Sequence, residues 1–354
     1  MIDTSSISLY DIRLYPRSRR ARSRAVRRRD CIPLLGTFLF SRAGFAESRS
    51  RTSHRQVGII TAYAPDDAEI KPRLDIFKST LSNLGGNSHY NINLFIKSAS
   101  GNMDLMIAYA KELAALRPDA ILSATTPATS AMLAETKQIP IVFVSVSDPV
   151  GSGFVTHLSR PERNATGFIN TDPTLCAKWV EILKEIVPGL SNIAIIYNPR
   201  TAPYARSYIE AFTSAAHKFA VEPNALPVAS ERDIAAAILA VSQRHGGIVL
   251  MNDSFNTNNR NLINALTREH KVPTMSYNRN ITATGGLVSY GVDEVNLYER
   301  AAQYVYRILQ GEKISELPVQ IPEAINLTLN MKTANAMGIS FPDSILIQAN
   351  EVFE

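Results

Sequence analysis

Cysteine is scarce in this sequence, and its scarcity narrows the classes of protein that the chain can encode. Only two cysteines, Cys31 and Cys176, occur in 354 residues, and they lie in different regions of the chain. Neither a disulfide framework nor a thiolate metal site is therefore expected. The six histidines have no metal-ligand spacing, so they predict no metal site either.

Sequence motifs of the common enzyme classes are also missing. The chain has neither a G-x-S-x-G nucleophile elbow nor a G-x-x-x-x-G-K-[ST] phosphate loop. The sequence identifies no nucleophile partner for His157, which lies near the loop after the predicted strand Ile141–Val146. We therefore predict that the protein is not an enzyme and needs no cofactor.

Basic charge is concentrated at the amino terminus. The formal net charge is +5, yet residues 1–46 contain ten arginines and only three acidic residues. The rest of the chain holds 27 basic and 29 acidic residues and is slightly acidic. Because the basic charge does not belong to the main part of the chain, nucleic-acid binding is not expected.

The amino-terminal segment has the order of features of a secretory signal. An arginine-rich stretch, Arg17–Arg29, precedes an apolar run, Ile32–Phe40, and small residues follow at Gly44 and Ala46. The apolar run is too short to span a bilayer. We predict cleavage near Ala46 and a mature chain that works in the periplasm, exported by either the twin-arginine or the Sec route. The alternative is a basic tail without a targeting role.

Strands and helices alternate along the rest of the chain, in two halves. In the first half, apolar strands such as Val57–Thr61 and Ala120–Ser123 are each followed by a helical pattern. The alternation restarts with a helix at Pro173 and continues to a long helix, Glu294–Leu309. This pattern predicts an α/β fold of two Rossmann-like lobes with parallel sheets and a cleft between them. We expect residues 47–168 to form lobe 1, residues 169–317 to form lobe 2, and residues 318–354 to return to lobe 1.

The segment that follows the strand Ile141–Val146 is one candidate ligand site. Its continuous β-branched run predicts a strand that is buried on both faces, and Ser147, Asp148 and Pro149 come directly after it. Open α/β sheets bind small ligands beyond the carboxyl ends of their strands. Asp148 is therefore predicted to face the cleft. The alternative is that it caps the turn before Pro149.

A second candidate site lies where a predicted strand leads into a helix, at Ser123–Thr129. Thr126 suits the N-cap and Pro127 suits the first helical position. Free backbone N–H groups and threonine hydroxyls at such a helix start form a carboxylate-sized anion site. The alternative is a plain helix cap without a ligand.

Aromatic and acidic residues at other strand ends complete the predicted site. Such a set suits a zwitterion with an apolar side chain: its carboxylate would meet the helix start, and its ammonium would meet Asp148 or Asp253. For any one of the tyrosines, a packing role is the alternative. The predicted ligand-binding residues are Tyr63, Thr125, Thr126, Ala128, Thr129, Ser147, Asp148, Asn198, Tyr204, Asp253, Tyr277 and Tyr290.

Seven short segments resemble one protein family, the extracytoplasmic substrate-binding proteins of bacterial ABC importers, in a subgroup associated with tryptophan and tyrosine uptake. The resemblance covers nearly all of residues 56–354. Tyr63–Pro65 departs from the sequence found in the aromatic amino-acid binders of the family. The segments that carry the resemblance are Thr126–Thr129, Pro140–Phe143, Asp148–Gly151, Asn164–Gly167, Gly285–Gly291, Leu317–Val319 and Lys332–Ala334.

The resemblance implies a type 1 periplasmic-binding fold with three crossovers between the lobes and hinge closure on the ligand. It also implies a solute-binding protein that delivers a small solute to an ABC permease in the inner membrane. An amino acid or related carboxylate is the expected solute, with aromatic ones among the candidates, and no stable oligomer is required. The alternative is a periplasmic sensor subunit of the same fold that presents a solute to a membrane receptor.

Overall fold

The computed structural model describes residues 53–86, 90–322 and 324–354. The predicted signal segment and Cys31 lie outside these residues. The first lobe begins with eight elements. They are β1 (Ser53–Thr61), α1 (Ile70–Gly86), β2 (Tyr90–Ser98), α2 (Met103–Leu116), β3 (Ala120–Ala124), α3 (Thr126–Glu135), β4 (Ile141–Ser147) and β5 (Ala165–Thr171). Strands and helices alternate up to β4, and β5 then follows β4 without a helix between them.

The five strands of this lobe form a parallel sheet in the order β2-β1-β3-β4-β5. Strands β3 and β4 are central, and every residue in them is buried. This burial explains their uninterrupted apolar sequences, because both faces of a parallel sheet are covered by helices. The predicted α/β class is confirmed.

The remaining elements form the second lobe, apart from helix α10 (Glu294–Leu309). They are α4 (Leu175–Ile186), β6 (Asn192–Tyr197), α5 (Ala205–Lys218), β7 (Glu222–Pro227), α6 (Glu231–Gln243), β8 (Gly247–Leu250), α7 (Ser254–Asn258), α8 (Arg260–Glu269), β9 (Thr274–Ser276), α9 (Arg279–Ala283), β10 (Val288–Val292), α10 (Glu294–Leu309), β11 (Ile325–Asn330), α11 (Met331–Met337), α12 (Asp343–Gln348) and β12 (Glu351–Phe353), of which α10 packs on the first lobe. The sheet order is β12-β11-β10-β9-β8-β6-β7, and its pairs are parallel except for β10 with β11. None of the helices in the described part of the chain is long and apolar enough to cross a bilayer.

Helix α10 belongs to the first lobe, which corrects the prediction that Glu294–Leu309 lies in the second. Its buried face, including Leu297, Tyr298 and Val305, packs in one cluster with α1 and one face of the first sheet. The opposite face of that sheet packs against α2 and α3. The apolar stripe of α10 predicts a buried face but does not say which sheet covers it.

The final segment also differs from the prediction that residues 318–354 return to lobe 1. Its first residues contact that lobe, where Gln320 forms a bridge with Phe168. Strand β11 then pairs antiparallel with β10, and β12 pairs with β11, so both strands extend the second sheet. The chain therefore passes between the lobes three times: after β5, after β10 and before β11.

Each lobe has its own hydrophobic core. The core of the second lobe is one cluster that contains Trp179, Tyr208 and Phe212, and it includes no residue of the first sheet. Separate cores leave a polar boundary between the lobes, and such a boundary permits hinge motion.

Glycine at position 291 is required by a close backbone approach at the second crossover. A Cβ atom there would lie 1.6 Å from the carbonyl oxygen of Tyr277. We expect Gly291→Ala to lower the free energy of unfolding by about 1–3 kcal/mol, since the neighbouring strand must shift. Urea unfolding measures the effect. Gly189→Ala is the matched control, because a Cβ at that exposed position meets nothing within 4 Å. Equal stability of the two variants would contradict the packing at Gly291.

Candidate functional site

A small cavity lies between the lobes, where the strands of both sheets end. Its free volume is only about 10 Å³, room for about one water molecule and far below the roughly 300–1,000 Å³ of ordinary small-molecule pockets, so the lobes must part to admit a solute. All of its lining side chains are uncharged, and most carry a hydroxyl or an amide. The first lobe contributes Tyr63, Thr125, Thr126, Pro127, Ser145, Ser147 and Asn170, and the second contributes Thr201, Tyr204, Asn252, Ser254 and Tyr277.

Thr125 has the features of a ligand-binding position at the start of helix α3. It is the N-cap residue, with φ of 96° and ψ of 155°, a conformation that β-branched residues rarely adopt. Its side chain is 4% exposed, and its hydroxyl has no hydrogen-bond partner. Backbone strain and an unpaired buried hydroxyl are both unfavourable for folding alone, so both point to a binding role.

Ser254 supplies a matching hydroxyl from the second lobe. It is the first residue of α7 and lines the same cavity. Its side chain is 8% exposed, and its hydroxyl also has no hydrogen-bond partner. The cavity thus holds one unpaired hydroxyl from each lobe, and a polar group bound between them would satisfy both.

Three buried tyrosines line the cavity. The Tyr204 hydroxyl donates to the carbonyl oxygen of Asn252, and the Tyr277 hydroxyl hydrogen-bonds to Thr257. The Arg73 guanidinium lies 5.9 Å from the centre of the Tyr63 ring. Burial raises the pKa of all three phenols, so they act as neutral hydrogen-bonding groups.

Asp148 does not line the cavity, contrary to the prediction that it faces a ligand. Its backbone is left-handed, with φ of 43°, and one carboxylate oxygen accepts from the Gly151 amide at 2.8 Å. The other oxygen accepts from the Ser207 hydroxyl of the second lobe at 3.0 Å. The geometry is that of the turn-capping alternative, with a contact to the opposite lobe added.

Asp253 is also outside the cavity, contrary to prediction. It caps α7 by accepting from the Phe255 amide, and it accepts from the Asn198 amide at 2.7 Å and from the Thr201 hydroxyl. Burial raises the pKa of its carboxyl to about 6. Three donors occupy its oxygens, which leaves Asp253 a structural role at this strand end.

The other predicted residues divide between the cavity and its surroundings. Ala128 and Thr129 are buried within α3, and the Thr129 hydroxyl donates to the Thr125 carbonyl. Asn198 caps a turn, and the Tyr290 carbonyl accepts from the Trp179 indole, so neither is in the cavity lining. The predicted residues that do line the cavity are Tyr63, Thr125, Thr126, Ser147, Tyr204 and Tyr277.

Several residues that line the cavity were not predicted from the sequence. Asn252 and Ser254 follow β8, so the rule that ligands lie at strand ends could have selected them. Asn170 lies on β5, a strand whose polar sequence ATGFINT gives no strand signal. Ser145 has φ of 55° at an irregularity in the β4–β5 pairing, and sequence periodicity does not predict such bulges.

A buried carboxylate stands behind the cavity wall. Glu294, the first residue of α10, accepts from the Ser145 hydroxyl at 2.6 Å and from the Asn170 amide at 2.8 Å. Arg73 of α1 lies 2.8 Å from the same carboxylate and 3.0 Å from Glu69. Arg73 therefore compensates the negative charge that holds two cavity residues in place.

The same ion cluster extends across the lobe boundary. Arg260 of α8 lies 3.0 Å from Asp67 and 3.8 Å from Glu69, which belong to the first lobe. The Asn278 amide of the second lobe donates to Glu69 at 2.9 Å. Burial raises the pKa of Glu69, although Arg73 opposes the shift.

Comparisons with known proteins agree on one family. The family model described as ABC transporter substrate binding protein matches residues 60–353. The tyrosine-binding protein of Clostridioides difficile strain R20291 is 22% identical over 291 residues, which are 82% of this chain and 84% of that protein.

Solved structures share the fold over most of the chain. A conserved domain protein from Vibrio cholerae is 27% identical and has a TM-score of 0.75, over 85% of this chain and 100% of that one. An ABC domain from Streptococcus pneumonia in complex with L-Trp is 22% identical and has a TM-score of 0.74, over 84% of this chain and 100% of that one. The fold is that of the periplasmic binding proteins.

The raised pKa of Asp253 predicts a specific pH dependence of stability. Its folded-state pKa of about 6 lies above the unfolded value, so its contribution is complete below about pH 4 and is lost as the pH rises through 6. Asp253→Asn cannot ionise. Relative to the wild type, we expect this variant to gain about 2–3 kcal/mol between pH 4 and pH 7. Urea unfolding of both proteins at the two pH values measures the change. A stability difference that does not vary with pH would contradict the shift.

Proposed function

The chain belongs to the ABC transporter substrate-binding protein family, and we propose that its solute is an amino acid or a related carboxylate bound between the lobes. Members of this family work outside the cytoplasm and bind solutes for transport. The cavity at Thr125 and Ser254 is the proposed site, and a membrane permease is the proposed recipient of the solute.

The unpaired hydroxyls of Thr125 and Ser254 carry this proposal. The helix dipole places partial positive charge at the start of α3, and a carboxylate there would accept hydrogen bonds from the hydroxyls of both lobes. A buried hydroxyl without a partner is costly in the unliganded protein. A bound carboxylate removes that cost in the closed form.

Closure of the lobes is the proposed means of capture. Asn252 of the second lobe donates to the Ser147 hydroxyl at 2.9 Å and to the Thr171 hydroxyl at 2.7 Å, both in the first lobe. These bonds and the Arg260 contacts belong to the closed arrangement, in which the cavity is small. The solute enters when the lobes are apart, and closing then excludes water from it.

The side chain of the solute would lie among the tyrosines. Tyr63, Tyr204 and Tyr277 offer ring faces and edges that suit an apolar or aromatic group. One relative is named for tyrosine and one similar structure contains L-Trp, which makes aromatic amino acids the first solutes to test.

Export is proposed for the segment ahead of the fold. Residues 1–46 would direct the chain to the periplasm and be removed near Ala46, by either the twin-arginine or the Sec route.

A thermal-shift screen tests the proposed solute class. We expect saturable stabilisation by an amino acid or a related carboxylate, because ligand that binds only the folded state raises its stability. For the solute found, Thr125→Ala and Ser254→Ala should each weaken binding by about 1.5–3 kcal/mol, as expected for a hydrogen bond to a charged group.

The matched control for these substitutions is Ser214→Ala, at an exposed position of α5. Its affinity should equal that of the wild type. If no amino acid or short carboxylate stabilises the protein in the screen, the result would contradict the solute class. Unchanged affinity in both hydroxyl variants would contradict the site.

The Arg260 contacts predict a second effect, on closure. Arg260→Met removes the cation that meets Asp67 and Glu69 across the lobe boundary. We expect solute binding to weaken by about 1.5–3 kcal/mol and the solute-saturated protein to have a larger radius of gyration in X-ray scattering. Arg206→Met is the control, because Arg206 is exposed and pairs with Glu210 on its own helix. Identical scattering of the two variants would contradict the role of Arg260.

A further inference from the structure

Every carboxylate that borders the cavity wall is already engaged by the protein. Asp148 follows Ser147 in the chain, and its two oxygens accept from the Gly151 amide and the Ser207 hydroxyl. Asp253 lies between two lining residues, and three donors occupy its oxygens. These bonds leave neither carboxylate directed at the cavity.

The carboxylates behind the wall are engaged as well. Glu294 accepts from Ser145 and Asn170 and pairs with Arg73. One oxygen of Glu69 accepts from Arg73 and Asn278, while its second oxygen has no hydrogen-bond partner and lies 3.8 Å from Arg260. Arg260 also meets Asp67, so two guanidinium groups face three carboxylates in this layer. Each of these carboxylates lies beside a guanidinium, and none of them lines the cavity.

The bond to Glu294 also determines what Asn170 presents to the cavity. Because its amide nitrogen donates to Glu294, its carbonyl oxygen is the atom near Ser147, 3.3 Å from the serine hydroxyl. A ligand amino group would meet this carbonyl and hydroxyl oxygens, all of which are neutral acceptors. A ligand carboxylate would meet the hydroxyls of Thr125 and Ser254 at the positive end of α3.

Lobe closure reinforces this difference between the two ends of a ligand. The Ser207–Asp148 bond joins the lobes, so closing the cleft occupies Asp148 at the moment when the solute is enclosed. A buried ammonium without a carboxylate partner is unfavourable, whereas a buried carboxylate with several donors is not.

From this charge arrangement, and resting on the carboxylate site proposed above, we propose that the cleft recognises its solute by the carboxylate and does not require an α-amino group. The solute class is then broader than amino acids: it includes carboxylates with the same side chain and no amino group.

Matched sets of ligands test this inference by isothermal titration with the full-length mature protein. One set is L-tyrosine, 3-(4-hydroxyphenyl)propanoate and tyramine. The other is L-leucine, 4-methylpentanoate and 3-methylbutylamine. Within each set the side chain is kept, while the amino group or the carboxylate is removed.

In the set that binds, we expect the desamino acid to bind within tenfold of the amino acid or tighter, and the amine to bind at least tenfold more weakly than either. A charged hydrogen bond to the ammonium would make the amino acid about 10- to 150-fold tighter than its desamino analogue. A preference above tenfold for the amino acid therefore overturns the inference and leaves the proposed function intact. Binding of the amine as tight as that of the acids overturns the proposed carboxylate site and the inference with it, as does the absence of stabilisation by any amino acid or carboxylate in the thermal-shift screen.

Two isosteric variants identify any carboxylate that does pair with an ammonium. Asp148→Asn and Glu294→Gln should change the affinities for the amino acid and the desamino acid by the same factor. A selective loss of more than tenfold for the amino acid in either variant would assign that carboxylate to the ammonium and overturn the inference. Both variants keep the side-chain shape, and wild-type unfolding midpoints would show that the fold is intact.

Discussion

The contact of Arg260 with Asp67 and Glu69 is the constraint on which the closed arrangement of the lobes depends. Buried ions are tolerated only when they are paired, so each charge in this cluster needs its neighbour in place. Arg73 connects Glu69 to Glu294, and Glu294 in turn holds Ser145 and Asn170 on the cavity wall. Lobe position and cavity geometry are therefore linked through one chain of ion pairs.

The separation of the hydrophobic cores makes this arrangement reversible. Apolar burial stabilises each lobe within itself, and the boundary between them consists of hydroxyls, amides and ions that water can solvate when the lobes part. The chain crosses the boundary three times, and such connections suit the hinge motion that we propose. The strained backbone at Thr125 and the irregular pairing at Ser145 lie at the cavity, where strain is commonly retained for function.

Much of this fold is predictable from local sequence, because strong periodicity reflects burial. Helix α10 spans Glu294–Leu309, the same residues as its predicted pattern, and β4 begins at the predicted Ile141. The lobe to which a helix belongs is harder to predict, since the apolar stripe of α10 fits either sheet. The polar strand β5 gives no strand signal, although all of its residues are buried. Asp148 shows the remaining difficulty: its direction depends on Ser207, a residue of the other lobe that no local pattern connects to it.

A crystal structure of the protein with a solute from the binding screen would show directly whether the carboxylate site exists. We expect a carboxylate within about 3.2 Å of the hydroxyls of Thr125 and Ser254, at the start of α3 and between closed lobes. A solute whose carboxylate lies against Arg73 or Arg260, or one bound outside the cleft, would contradict it.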